Sequence, residues 1–159
     1  MEVKILFLDI DGVLNKQDVV SMYDDKAILS EKITLINQIV EKTKCVIVVI
    51  SNWATILSFQ RLCERLYEKG LIEETIFTAI GHDETPTVTD EQPVSVIKKD
   101  FFIKTFIEEH KIKSYVVIDD SLESNDIDKN HIVIPKSNQG IVEGDVFKAI
   151  DILNAKHHE

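Results

Sequence analysis

The sequence predicts an α/β domain built on a doubly wound, mainly parallel, five-stranded sheet with helices on both faces. Three observations indicate this fold. Five apolar runs rich in β-branched residues recur along the 159 residues. Each run is nearly continuous rather than alternating, which is typical of strands covered on both faces. Amphipathic stretches of helical length separate the runs, as in sheets whose parallel strands are joined by right-handed crossovers.

The predicted strands follow one another at intervals that leave room for a helix between most of them. They are VKILFLDI near the start, CVIVVI at 45–50, TIFTAI at 75–80, SYVVID at 114–119 and HIVI at 131–134. The intervening segment GHDETPTVTDEQP, at 81–93, is polar and contains two prolines, so it predicts an exposed loop.

Four helices are predicted between and after these strands. Ser30 is a candidate N-cap for the first, and Gly70 a candidate C-terminal cap for the second, which follows Ser51 and Asn52. The third lies near 99–110 and the last at about 145–154. The apolar residues predicted to face the core in the first two helices are Ile33, Ile36, Ile39, Val40, Ile56, Phe59, Cys63, Leu66 and Tyr67.

Size and composition limit the possible classes of protein. We expect residues 1–159 to form a single domain, because this length suits one well-buried core. The formal net charge of −10 argues against a broad nucleic-acid surface.

No apolar run is long enough to span a membrane. Without a secretion signal or metal-site spacing, Cys45 and Cys63 are expected to be reduced thiols of a cytoplasmic protein. We leave His157 and His158 out, since KHHE is also typical of an added tail.

Polar side chains follow three of the predicted strands at the point where each strand ends. Asp9 and Asp11 follow the first, Ser51 the second, and Asp119 with Asp120 the fourth. Because ligands bind beyond the carboxyl ends of parallel strands, these side chains should meet at one edge of the sheet. Four carboxylates brought together need a cation, and hard oxygen ligands suit Mg²⁺ completed by a substrate phosphate. The sequence therefore predicts a magnesium-assisted phosphoryl site.

The order of these motifs resembles the haloacid dehalogenase superfamily. The motifs are DxDGV, a strand ending in Ser, a Lys before a helix, and an apolar strand ending in Asp-Asp. The run FLDIDGVLN, the Ser-x-Trp after the second strand and the GIVEGD segment are similar to the phosphatase domains of RNA-repair proteins. Two positions depart from that pattern: Asn52 replaces a small hydroxyl residue, and Ala54 replaces a common Arg.

The resemblance implies an enzyme, a phosphatase, with a role for each motif. Asp9 matches the nucleophile that forms an aspartyl-phosphate, and Asp11 matches the general acid and base. With an acid at the Asp11 position, the motif resembles that of the phosphatases and phosphomutases of this superfamily, whereas the dehalogenases lack this acid. Ser51 and Asn52 are expected to bind the phosphoryl group together with a lysine, which the spacing assigns to Lys99 with Lys98 as the alternative. The implied Mg²⁺ ligands are Asp9, Asp11 through its carbonyl, Asp119 and Asp120.

Cap domains, which select substrates in this superfamily, have no room here. The gap at 13–29 is short, and so is the loop after the third strand, so we expect no folded cap domain and an open site. Such minimal members of the superfamily resemble enzymes that act on phosphates at the ends of large molecules, such as polynucleotide ends or phosphoproteins, with small metabolites as the alternative. A dimer partner could cover the site. Trp53 is expected either to stack on a base or to pack within the fold.

Two other classes of function remain open at this point. A phosphoacceptor receiver domain shares the sheet, the acids, the hydroxyl and the lysine, but its acidic pair precedes the phosphorylated Asp by a whole strand–helix unit. A catalytically silent binding module would keep the fold without turnover.

Overall fold

The computed structural model describes residues 2–16, 27–80, 88–89, 92–93 and 99–156. Its strands are β1 (Lys4–Leu8), β2 (Val46–Ile50), β3 (Ile76–Ile80), β4 (Val88–Thr89), β5 (Gln92–Pro93), β6 (Ser114–Ile118) and β7 (Ile132–Val133). Five of them form a sheet of the order β3-β2-β1-β6-β7, in which every neighbouring pair of strands is parallel. The predicted α/β fold and its parallel sheet are confirmed.

Helices cover both faces of this sheet. They are α1 (Ser30–Thr43), α2 (Trp53–Ile56), α3 (Phe59–Glu68), α4 (Lys99–His110) and α5 (Glu143–Asn154), with a short 3₁₀ helix at Lys129–His131. Leu6 and Leu8 of β1 pack in one buried cluster with apolar residues of α1, α3 and α5. Ile5 and Phe7 point the other way and pack with residues of α4. The alternation along β1 therefore divides the core into two layers.

The predicted helix after Ser51 is two helices. The chain leaves α2 at Leu57, and the Ser58 hydroxyl accepts a hydrogen bond of 3.3 Å from the Arg61 backbone N–H, which starts α3. The break rotates the helical faces, so Ile56 and Phe59 are 58% and 47% exposed instead of buried. Gly70 is confirmed as the C-terminal cap predicted for this region, because its φ of +108° is the left-handed conformation that ends a helix.

Three smaller predictions also need correction. Leu29, not Ser30, is the N-cap residue of α1, and Ser30 is already helical. The last helix begins at Glu143, where the Asp145 carboxylate accepts a hydrogen bond of 3.0 Å from the Val142 N–H. Part of the predicted loop at 81–93 forms a small antiparallel pair, β4 with β5, and the rest of it lies outside the described residues.

The two gaps that were too short for a cap domain are only partly described. The structure describes residues 13–16 and 27–29 of the first gap, and the second contributes the β4–β5 pair. None of the helices in the described part of the chain has the length and apolar character that crossing a membrane would require.

Candidate active site

Three carboxylates meet at the carboxyl edge of the sheet. Asp9 directly follows β1 and Asp119 directly follows β6, two adjacent parallel strands in which Leu8 lies opposite Ile118. Asp9, Asp119 and Asp120 each offer an oxygen atom within 4.8 Å of the other two. Their exposed fractions are only 6%, 0% and 9%. A cluster of buried carboxylates this close needs positive charge to remain ionised.

Lys99, the first residue of α4, supplies one positive charge to the cluster. Its Nζ lies 2.7 Å from Asp119 Oδ2 and 3.7 Å from Asp9 Oδ1. The side chain reaches the acids from the helix that covers the second face of the sheet. Lys98, the alternative lysine of the sequence prediction, lies outside the described residues.

The Asp9 carboxyl is the group whose protonation this environment alters most clearly. Burial raises the pKa of Asp9 well above its ordinary value, and the charge of Asp119 raises it further. The Lys99 ammonium and the Ile10 backbone N–H partly offset that rise, while Asp120 adds a smaller contribution upward. The protein side chains alone therefore leave Asp9 short of compensating charge. A divalent cation would supply that charge, and the donors present are the carboxylate oxygens that Mg²⁺ prefers.

Local hydrogen bonds hold two of these acids in place. The Asp119 Oδ1 accepts a bond of 2.9 Å from the Ser121 backbone N–H, and Asp120 Oδ2 accepts one of 2.7 Å from the Ser137 hydroxyl. Gly12 leaves the necessary space: its φ is +79°, and a Cβ at this position would overlap the Asp120 carboxylate. The DG step in the first motif is thus required by both backbone conformation and packing.

Ser51 and Asn52 leave the same edge from β2, which lies beside β1 with Val49 opposite Leu8. Ser51 is 1% exposed, and its Oγ accepts a hydrogen bond of 3.3 Å from the Trp53 backbone N–H. Asn52 occupies the N-cap position of α2. The structure therefore places the predicted phosphate-binding residues at the predicted edge, next to the strand that carries Asp9.

The Asp11 carboxylate does not belong to the three-acid cluster. Its Oδ1 accepts hydrogen bonds of 3.0 Å from the Trp53 indole Nε1 and 3.1 Å from the Asn15 amide. Trp53 is fully buried, so the prediction that its ring stacks on a base is wrong and the packing alternative is confirmed. A metal contact through the Asp11 backbone carbonyl stays a prediction.

Sequence reasoning missed Asn15 and Ser137, and it missed the indole N–H as a donor. Asn15 lies four residues after Asp11 in the same motif, and its short polar side chain in a turn was a usable signal. No pattern in the sequence pointed to Ser137, whose contact depends on how the segment after β7 returns to the sheet edge. The indole contact depends on the start of α2, and alternation along β2 does not predict it.

Comparison with known proteins agrees with this geometry. A family model described as "HAD domain in Swiss Army Knife RNA repair proteins" matches residues 5–146, which include every site residue described above. Searches of the curated proteins and of the solved structures find no match. The resemblance to the haloacid dehalogenase superfamily and to domains of RNA-repair proteins is therefore confirmed at the level of family. The chain belongs to the family of HAD domains in Swiss Army Knife RNA repair proteins.

Proposed function

We propose that this protein is a Mg²⁺-dependent phosphomonoesterase that works through an aspartyl-phosphate on Asp9. The observation that carries the proposal is the cluster of three buried carboxylates with one lysine between two of them. The family adds support, because HAD domains generally are hydrolases of the phosphatase type that use Mg²⁺.

The donor set of the cluster fits a magnesium ion. Asp9, Asp119 and Asp120 offer hard oxygen ligands from a rigid sheet edge, and the described residues bring no His or Cys into this group. The backbone carbonyl of Asp11 is the further predicted ligand. When bound, Mg²⁺ would offset the negative charge of the phosphoryl group and of the carboxylates that face it.

The chain's own residues would then divide the work of two displacements. In the first, a carboxylate oxygen of Asp9 attacks phosphorus while the bond to the leaving oxygen breaks, and Asp11 donates a proton to that oxygen. In the second, water attacks phosphorus, its proton passes to Asp11, and the bond from phosphorus to Asp9 breaks. Ser51, Asn52 and Lys99 would bind the oxygens that do not react.

For the substrate we propose a terminal phosphate of RNA. The family description ties these domains to RNA repair proteins, and a site that lacks a folded cap, as the sequence predicts, would admit the end of a long chain. The net charge of −10 disfavours extended contact with a polynucleotide, so recognition would be confined to the terminal nucleotides. Small metabolite phosphates, which need no contact beyond the phosphoryl site, are the alternative substrate class.

A phosphatase panel tests this proposal. It would compare 3′- and 5′-phosphorylated RNA oligonucleotides with sugar phosphates and an aryl phosphate, with Mg²⁺ and with EDTA. We expect Mg²⁺-dependent release of phosphate, a higher kcat/KM for one RNA end than for the sugar phosphates, and no turnover by Asp9→Asn. Hydrolysis that survives Asp9→Asn would overturn the mechanism, and a preference for sugar phosphates would overturn the RNA assignment alone.

A further inference from the structure

Two N–H donors converge on a single oxygen of Asp11. The Trp53 indole and the Asn15 amide both bind Oδ1, at 3.0 Å and 3.1 Å. The indole N–H and the amide NH₂ are donors only, so neither can accept a hydrogen bond from a protonated carboxyl group. A proton on Oδ1 would face two N–H bonds, so the proton-carrying oxygen must be Oδ2.

Both donors are fixed by their surroundings. Trp53 is fully buried in the apolar cluster beneath the sheet edge, and Asn15 is 2% exposed. The Asn15 Oδ1 accepts a hydrogen bond of 2.7 Å from the Gly12 backbone N–H, which sets the orientation of its amide. Since the donors have no freedom to follow a moving carboxylate, they hold Asp11 in one rotamer.

We infer that Trp53 is a positioning residue for Asp11. Its indole N–H and the Asn15 amide together occupy Asp11 Oδ1, so that proton transfer takes place at Asp11 Oδ2. This inference rests on the proposed phosphatase reaction. Asp11 must give a proton to the leaving oxygen and later take one from water, and both transfers need the same oxygen at the same place. The buried donors of Trp53 and Asn15 hold Asp11 Oδ2 in that place.

Trp53 also links the acid to the phosphate-binding hydroxyl. Its backbone N–H occupies a lone pair of Ser51 Oγ, at 3.3 Å, which leaves the hydroxyl hydrogen free to point at another acceptor. One residue at the start of α2 thus orients Ser51 through its backbone and Asp11 through its side chain. Only the side-chain contact is lost when the indole nitrogen is replaced.

The chain permits an unusually clean test, because Trp53 is its only tryptophan. Biosynthetic replacement of tryptophan by 3-benzothienylalanine exchanges the indole N–H for sulfur and changes no other position. The replaced protein and Trp53→Phe would be assayed with an alkyl and a p-nitrophenyl phosphomonoester. The alkyl leaving group needs a proton, whereas p-nitrophenolate leaves largely without one.

The expected result is a selective loss. A hydrogen bond to a charged group corresponds to roughly tenfold to one-hundredfold in an equilibrium constant. We expect kcat/KM for the alkyl substrate to fall by about tenfold or more, and kcat/KM for the aryl substrate to change by less than about threefold. The phosphoenzyme should accumulate with the aryl substrate, because the water step also depends on Asp11. Leu62→Val, at a buried position of the same cluster, should leave the ratio of the two substrates unchanged.

A second readout does not require turnover. The single indole ¹⁵N–¹H resonance should move upfield in Asp11→Ala, because the proton loses a carboxylate acceptor. An equal loss for both substrates, no loss for either, or an unmoved indole resonance would overturn the positioning role while leaving the phosphatase proposal in place. A wild type without any Mg²⁺-dependent hydrolysis would overturn both.

Discussion

The most informative perturbation of the site is Asp9→Asn, which removes a charge and keeps the shape. The carboxylate oxygens of the cluster lie within 4.8 Å of one another, so at an effective dielectric of about 20 each pair repels by at least about 3.5 kcal/mol. Asp9 has two such neighbours, at least about 7 kcal/mol together, and the Lys99 ammonium at 3.7 Å returns about 4.5 kcal/mol. The balance of at least about 2.5 kcal/mol, to which burial adds, opposes an ionised Asp9 when no divalent cation is present.

Asp9→Asn should therefore stabilise the metal-free protein while abolishing turnover. For a chain of this size, each kcal/mol corresponds to roughly 2–4 °C in Tm, so the expected gain in EDTA is about 5–10 °C. Mg²⁺ at 100 times its Kd should then offset most or all of this gain, since it would stabilise the wild type by about 2.7 kcal/mol. Thermal unfolding followed by circular dichroism, with EDTA and with Mg²⁺, measures both effects.

The pH dependence of the same comparison has a definite sign. The pKa of Asp9 is raised in the folded protein, so the metal-free wild type binds more protons folded than unfolded. Its stability therefore falls as pH rises from the ordinary Asp pKa of about 3.9 through the raised value. Asp9→Asn lacks this group, and its advantage in Tm should widen over that range and vanish toward acid pH.

The matched control is Asp151→Asn, which makes the same change at an exposed position of α5. It should change the free energy of unfolding by no more than about 0.5 kcal/mol, as surface substitutions usually do, both in EDTA and with Mg²⁺. An Asp9→Asn protein that melts below the wild type in EDTA would show that charge repulsion does not dominate at Asp9. A variant that gains as much from Mg²⁺ as the wild type does would show that Asp9 is not a ligand of the ion.

Two further variants test the groups around the acids. Lys99→Met leaves the buried Asp119 without its cationic partner and should lower the free energy of unfolding in EDTA by roughly 3–5 kcal/mol. Urea denaturation measures this loss, and an unchanged midpoint would show that Lys99 does not compensate the charge of the cluster. Ser137→Ala removes the 2.7 Å bond to Asp120 and should weaken Mg²⁺ binding by roughly tenfold in calorimetric titration. Ser121→Ala is its control, because Ser121 binds the cluster through its backbone N–H, and equal effects of the two would contradict this assignment.

The sequence was sufficient for the sheet and for the meeting of three of the four predicted acids, whereas the Asp11 carboxylate lies outside their cluster. Continuous apolar runs such as CVIVVI fix which segments are buried on both faces, and parallel pairing carries their ends to one edge. The strand pattern alone therefore places Asp9 and Asp119 together. Lys99 followed from the resemblance to the superfamily, whose lysine has a similar spacing to the helix that follows, although the role of each site residue stays a prediction.

Side-chain directions after the strands could not be predicted in the same way. The break between Ile56 and Phe59 depends on the Ser58 cap outcompeting a continuous helical pattern, and local periodicity gives no sign of it. The contact from Trp53 to Asp11 joins residues 42 positions apart, so only the packed structure decides it. A buried indole also looks the same in sequence as an exposed one that stacks on a base.

Trapping the intermediate shows whether Asp9 accepts the phosphoryl group. The protein would be quenched during Mg²⁺-dependent turnover of an aryl phosphate, reduced with borohydride, and mapped by peptide mass spectrometry. An aspartyl-phosphate is converted by this treatment to homoserine, and we expect that conversion at Asp9 and at no other carboxylate. Steady turnover with an unmodified Asp9, or with homoserine at Asp11, Asp119 or Asp120, would contradict it.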